Sequence, residues 1–412
     1  MKRLLPCICL LALQLGFASH AEAQNTFERN YGGDRYDTGT RVLETADKGF
    51  LVLGTTRSVS NDTTDAWVVR TDAMGEVLWT KAYGGDMWDS GIAMQPGSDG
   101  GYVLALASNS VSGNYDILLV KIDEQGETLW TKSYGGPQTE YPHAMAATAD
   151  GGYVILAHTL SFGMGALDFY LLKVDVHGDS LWSRTYGGAA SDWGGTVQQT
   201  ADGGYILAGD TQSFGDEDGD VYLVKTDAAG DTLWTRTYGG AGQDRAFSVL
   251  QTKDGGYLLA GKTAGNGPAD ERGFILKTDA TGMVEWTQVL EGEYNSRLLH
   301  AIELSEDAYL VAGNKYVNEA KDHDAYQSLH HHPLRSPAPD ARNPRRHRCA
   351  RPGNRAPGGW KQAGGGSAYA ALRCRGTPVG TVFLPAGDGR CATAATHAAA
   401  ALTGSDGFSR AA

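Results

Sequence analysis

The triplet Tyr-Gly-Gly recurs at Tyr31, Tyr83, Tyr134, Tyr186 and Tyr238, in steps of 52, 51, 52 and 52 residues. Four residues before each stands an aromatic side chain, Phe27, Trp79, Trp130, Trp182 and Trp234, and Trp286 continues the series. A second aromatic marker follows a small residue at Phe50, Tyr102, Tyr153, Tyr205, Tyr257 and Tyr309. A third marker is a basic residue two before Asp: Arg70/Asp72, Lys121/Asp123, Lys173/Asp175, Lys225/Asp227 and Lys277/Asp279. Three independent markers on one period specify a repeat architecture.

Each unit carries four short strand signals, and in the fourth unit these cover residues 194–200, 205–211, 221–226 and 232–238. Asp202-Gly203-Gly204 supplies one turn and Asp227-Ala228-Ala229-Gly230 another, with Gly where a positive φ is needed. The run Val221-Tyr222-Leu223-Val224 is apolar on both faces, so it predicts a strand covered on both sides. Helix signals are nearly absent. Four antiparallel strands per unit of about fifty residues predict an all-β chain, a β-propeller of four-stranded blades. A solenoid coil has a shorter period, roughly 20 to 30 residues. One blade has two apolar faces and becomes stable only by stacking on its neighbours.

The run from Val221 through Asp227 and Gly230 to Trp234 resembles the tryptophan-docking repeat of quinoprotein-alcohol-dehydrogenase-like propellers. With Asp-Gly-Gly-Tyr and Trp-Thr-Arg-Thr-Tyr-Gly-Gly added, the unit is similar to repeat proteins secreted by Bacteroidetes-type bacteria, some of them labelled endoglucanase-like. The resemblance spans about 300 residues. It implies a propeller, an exported protein and a C-terminal secretion-sorting domain, but no sorting domain is recognisable here. No residues that would carry the quinone cofactor are recognisable either.

About six units are visible, and the sixth breaks off after residue 326. Leu329 stands where the recurring Lys is due, and no closing Trp follows. Residues 327–412 hold 12 Lys+Arg against three Asp and no Glu, whereas residues 1–326 hold 23 basic and 45 acidic residues. This irregular C-terminal tail, rich in Ala, Arg and Pro, shows no persistent strand or helix period and reads as disordered. Its abrupt start suggests a frameshift near Tyr326, with a genuine basic tail as the alternative. His330-His331-His332 falls in this tail and is not taken as a metal site.

Residues 1–23 have the pattern of a secretory leader: Lys2 and Arg3, a mostly apolar stretch, then Ala21-Glu22-Ala23. The repeat region is therefore taken as residues 24–326, and the mature chain as secreted or held at the cell surface. No cysteine lies between residues 24 and 348, so the repeats are held by packing without disulfides. The orphan strand at residues 27–31 is read as an outer strand that completes the last blade and locks the ring. The net charge of −13 argues against nucleic acid as a partner. No apolar run of transmembrane length follows the leader.

What recurs at every period serves to hold blades together, whereas functional residues break the period. An acidic residue stands six positions after each Tyr of Tyr-Gly-Gly: Asp37, Asp89, Glu140, Asp192 and Asp244. Such a ring suits a cation or a polyhydroxyl ligand. The recurrence favours the other reading, in which each carboxylate accepts hydrogen bonds from the next blade's backbone. Beside these acids, Tyr36, Trp88, Tyr141 and Trp193 break the period, and the fifth unit has Arg245 instead. They are placed on the connections entering each blade. Aromatics beside carboxylates can stack on a sugar ring while the acids bind its hydroxyls, or they can plug the space between blades.

The loop Asp216-Glu217-Asp218-Gly219-Asp220 is dense in acids but lacks the ligand order of a calcium loop. It reads as a solvated turn, with calcium binding as the alternative, and no cofactor is assigned. His143 and His158 look isolated, as packing or surface residues. Glycosidases need two carboxylates about 5–10 Å apart in unequal environments, and no pair is singled out. The expectation is a non-enzymatic binding or scaffold module, with a glycan or a surface protein as partner. The alternative is a carbohydrate-active protein.

Overall fold

Hydrogen-bonded turns set the strand ends. In the fourth unit the Thr200 amide donates to Gly204 O at 2.9 Å, and the Gly203 amide donates back to Thr200 O at 2.9 Å. Gly203 has φ +81°, which a side chain would resist. Asp202 Oδ1 accepts from Thr200 Oγ1 at 2.5 Å and from the Gly204 amide at 3.0 Å, closing the turn from the side. The computed structural model describes residues 27–59, 63–264, 271–290, 295–305, 308–316 and the strand Ala368–Arg373.

Among the described residues all regular structure is strand. Five antiparallel four-stranded sheets follow one another, covering residues 37–83, 89–134, 140–186, 192–238 and 244–289, each in simple sequential strand order. A sixth sheet holds Asn295–Ser305 and Ala308–Tyr316, joined by Ala368–Arg373 as its third strand. The chain is a β-propeller, and each sheet packs on the next. Residues 1–23, expected to be a leader, lie outside the described residues, and so do residues 327–412, apart from that one strand.

The core is a series of layers between blades. One cluster joins Leu51, Leu53 and Val68 of the first sheet to Leu104, Leu106 and Ile122 of the second. Another joins Leu156 and Phe169 of the third to Leu207 and Val224 of the fourth. Third strands are sealed on both faces, as their apolar runs predict: every residue of Asp220–Thr226 is buried. Since each blade buries its faces only against neighbours, stability grows blade by blade.

The recurrent markers turn out to be fasteners between blades. Tyr186 Oη donates to Gly230 O in the next blade at 2.6 Å, and Tyr83 and Tyr238 repeat the bond to Gly126 and Gly282 at 2.8 and 2.7 Å. Trp182 packs edge-on against Tyr205 of the next blade at 5.7 Å, as Trp234 does against Tyr257 at 5.8 Å. The basic residue of the third strand pairs with the Asp of Asp-Gly-Gly, not with the Asp two places on. Lys173–Asp150, Lys225–Asp202 and Lys277–Asp254 are all 2.8 Å. These lysines are almost fully buried, so each pair also supplies charge that the strand cannot leave unmatched.

Residues 27–31 sit against the first sheet as every outer strand sits against the following one. Tyr31 Oη donates to Gly75 O at 2.8 Å, Arg29 pairs with Glu76 at 2.5 Å, and Phe27 tilts onto Phe50 at 5.7 Å. No sheet takes them in as a strand.

Candidate functional site

Antiparallel order puts the starts of first and third strands and the ends of second and fourth strands at one end of the propeller. The opposite end carries the short recurrent turns. All ten sequence-selected residues lie at the first end, but they divide into three kinds.

The recurrent acids open the first strands; Asp89, Glu140, Asp192 and Asp244 are sealed, and Asp37 is half-buried. Asp89, Glu140 and Asp192 are 0% exposed. Each takes the amide of the second glycine of Tyr-Gly-Gly and a hydroxyl from the end of the second strand or the segment following it. Asp192 accepts from the Gly188 amide at 2.9 Å and Ser213 Oγ at 2.8 Å. Asp89 accepts from the Gly85 amide at 2.8 Å and Ser110 Oγ at 2.6 Å. Glu140 accepts from the Gly136 amide at 2.5 Å and Thr159 Oγ1 at 2.6 Å, and Asp244 from the Gly240 amide at 3.0 Å. Asp37 does the same with Gly33, Ser58 and Thr56. Burial raises its pKa, but those hydrogen bonds win and hold it at about 2. In each case the amide belongs to the connection arriving from the preceding outer strand.

Tyr36 and Trp88 do lie on the connections, 62% and 42% exposed, and the Arg57 guanidinium sits over the Trp88 ring at 5.5 Å. Tyr141, Trp193 and Arg245 do not. They are the second residues of first strands, because the fourth blade's inner strand begins at Asp192, two residues earlier than its apolar pattern indicated. The polar start is strand because Asp192 and Trp193 pair with Thr211 and Asp210.

Opposite the residue that follows each recurrent acid, the second strands also break the period, at Thr55, Ala107, His158, Asp210 and Lys262. A β-bulge in every first strand adds a further variable residue, Thr40, Ile92, His143, Gly195, Phe247 and Leu299. Bulges re-aim side chains, and here they bring variable residues together. His143 Nε2 and His158 Nδ1 are 2.7 Å apart, so the two histidines are a bonded pair and not isolated. Tyr141 stacks on His158 at 5.7 Å with 13° between planes, and Tyr115 meets Tyr141 edge-on at 5.6 Å. Burial, with the Arg245 charge, lowers His158 to about 4, and burial, His158 and Arg245 hold His143 well below its usual value.

Arg245 Nε lies 3.1 Å from Asp210 Oδ1, and Asp210 is 0% exposed. Burial pushes Asp210 up to about 6, against the lowering charges of Arg245 and Lys262. Lys262 pairs with Glu271 at 2.7 Å, and Glu271 also holds Arg297 at 2.7 Å. The result is a band of aromatic, imidazole and charged groups across the third to sixth blades. The first two blades have Thr38, Ser90, Thr55 and Ala107 at the matching places. Sequence reading took His158 for an isolated packing or surface residue and missed Asp210 and Lys262, although the three recur at steps of 52 with a different chemistry each time.

The acidic loop Asp216-Glu217-Asp218 is exposed, closed by the Asp216 amide on Asp220 Oδ2 at 2.8 Å. Among the described residues no group of three or more His, Cys, Asp or Glu side chains converges as a metal site, and His330-His331-His332 lies outside them. A cavity of about 470 Å³ opens between the fourth and fifth blades, with Tyr238, Asp244 and Phe274 in its wall. No helix among the described residues is long and apolar enough to cross a membrane.

No protein-family model matches the sequence, and no curated protein matches it. Solved propellers are similar in fold. A protein of unknown function from Bacteroides caccae is 12% identical, with TM-score 0.40, over 64% of this chain and 85% of that one. The WD40 domain of Neurospora crassa Pan2 is 12% identical, with TM-score 0.41, over 66% of this chain and 71% of that one. The aldose sugar dehydrogenase of Streptomyces coelicolor, solved in its PQQ-bound form, is 14% identical, with TM-score 0.39, over 66% of this chain and 87% of that one. A fold of this kind does not by itself specify a function, which has to be argued from the site.

Proposed function

We propose that this chain is an exported, non-enzymatic binding module whose ligand, a glycan, docks on the end of the propeller that carries the blade connections. The observation that carries this reading is where large apolar side chains meet solvent. Tyr36, Met87 and Trp88 on the connections, and Leu160, Phe162, Met164 and Phe214 on the loops after second strands, are 41–85% exposed. Exposed leucines also stand at the starts of outer strands at the other end (Leu78, Leu129, Leu181 and Leu233). The exposed aromatic rings Tyr36, Trp88, Phe162 and Phe214, however, are at this end, and exposed rings mark interaction surfaces more than folding surfaces. The period-breaking band of His143, His158, Trp193, Asp210 and Arg245 lies at the same end. Ring faces at Tyr36 and Trp88 with nearby guanidinium groups suit a sugar, which needs an apolar platform and hydrogen-bond donors together. Export is supported by the leader pattern of residues 1–23.

The competing reading, a glycoside hydrolase on the same fold, has one observation in its favour. Asp210 titrates near 6, where a general acid is useful. Its carboxylate is sealed from solvent and faces Arg245, which suits a structural charge pair better.

A glycan array probed with the purified chain tests the proposal. Trp88→Ala and Tyr36→Ala should each weaken binding about tenfold or more, the loss of one stacking platform, with melting unchanged. Wild-type binding that survives both changes, or β-glucan turnover by the same preparation, would replace this reading. Retention on cells stripped of glycans would point to a surface protein instead.

A further inference from the structure

At the junction of the third and fourth blades, acceptor oxygens crowd two glycines, Gly165 and Gly187, and Asp168 Oδ1 is common to both. Asp168 opens the third strand of the third blade and is 2% exposed, and Asp192 opens the first strand of the fourth and is 0% exposed. Asp168 Oδ2 is taken up by the Met164 and Gly165 amides at 2.7 and 3.1 Å. Asp192 Oδ2 is taken up by Gly188 and Ser213. The other oxygen of each carboxylate is buried and receives no hydrogen bond. A buried carboxylate oxygen with no donor is costly to keep dry, so Asp168 Oδ1, which points at both glycines, calls for a partner.

Two glycines show how tightly the oxygens converge. Asp168 Oδ1 and Asp192 Oδ2 both lie within 2.5 Å of the point where Gly187 would carry a β-carbon. The carbonyl oxygens of Gly188 and Ala190, with Asp168 Oδ1, lie within 3.3 Å of the point where Gly165 would carry one. Glycine at both places keeps side-chain carbon out of the space. Two carboxylates and two carbonyls, all acceptors, form an oxygen-only set.

We propose that this junction binds a calcium ion through Asp168, Asp192 and the carbonyls of Gly188 and Ala190. Calcium accepts carboxylate and carbonyl oxygens in flexible geometry and fills its remaining places with water, whereas magnesium demands a near-ideal octahedron and keeps more of its waters. Transition metals favour nitrogen or sulfur ligands, which the set lacks. The ion ties the third blade to the fourth, so it binds the folded chain and not the unfolded one and raises stability by mass action. The acid pairs Asp116/Glu140 and Asp220/Asp244 flank Gly135 and Gly239 in the same manner, each again with one buried oxygen unpartnered.

The test uses the full chain, stripped with EGTA and titrated with calcium chloride in a calorimeter, with melting followed in parallel. Saturable binding with a Kd of about 10⁻⁵–10⁻³ M is expected, together with a melting temperature that rises in calcium more than in magnesium. Asp168→Asn should lower the number of bound ions by one, and Asp218→Asn, in the exposed loop, should leave it unchanged. A wild-type chain with neither calcium heat nor a melting shift overturns the proposal, as does an unchanged ion count in Asp168→Asn. Should that variant not fold, terbium emission excited through Tyr222, whose hydroxyl senses both carboxylates, gives a second readout. Emission that drops in Tyr222→Phe supports the site, and emission that does not drop overturns it.

Discussion

His158 shows how a single side chain makes the fold sensitive to acid. Its pKa is about 4 in the folded chain, lowered by burial and by the Arg245 charge. The unfolded chain takes up the proton near 6.5. Between these values the unfolded state binds more protons, so stability present above pH 6.5 is lost as pH falls towards 4. His158→Gln should remove about 2–3 kcal/mol of that loss between pH 7 and pH 4.5, read from urea midpoints at the two pH values. Asp210 acts in the opposite sense. Its folded pKa of about 6 is raised by burial, so protonation from pH 6 downward favours the fold. The difference between wild type and variant reports on the bonded imidazole pair, since His158 also lowers His143, and equal pH dependence in both would contradict the assigned burial of His158.

The blade is the next scale, and its contacts forward along the chain govern it. In the fourth blade, Gly230 has φ +81°, accepts Tyr186 Oη, and would carry a β-carbon 2.7 Å from the Trp182 ring. One glycine therefore meets a turn requirement and a packing requirement together. Gly230→Ala should cost about 1–3 kcal/mol in chemical denaturation, with the Trp fluorescence of the native state altered. A midpoint within error of wild type would mean that Trp182 does not rest on this turn. The same logic explains why Trp, Tyr-Gly-Gly and the turn glycine recur together: they form one contact, repeated at each junction.

For the whole molecule, the decisive question is how the series of blades ends. Desolvation, and then the charge of Arg41 in the first sheet, lower the pKa of His300 in the sixth. Residues 27–31 occupy the first sheet's outer-strand dock, with Phe27 against Phe50 and Tyr31 on Gly75. Phe27→Ala should lower the melting temperature by about 3–6 °C, since it opens the side of the first blade that no earlier blade covers. Melting unchanged by this substitution would remove residues 27–31 from the forces that hold the first blade.

The repeat, the strand count per unit, the turns and the buried third strands were legible from residue spacing alone. Each is a local pattern copied several times, and copying separates it from chance. The division of labour among acids was partly legible, since recurrence argued for a structural role at Asp89, Glu140 and Asp192. What the linear text hid was pairing across distance. His143 meets His158 only because a bulge and a hairpin register bring them face to face. Asp168 meets Asp192 only because two blades close on Gly187. Spacing within one chain segment determines strands and turns, but which side chains share a buried space depends on how separate sheets are set against each other, and only the tertiary structure decides that.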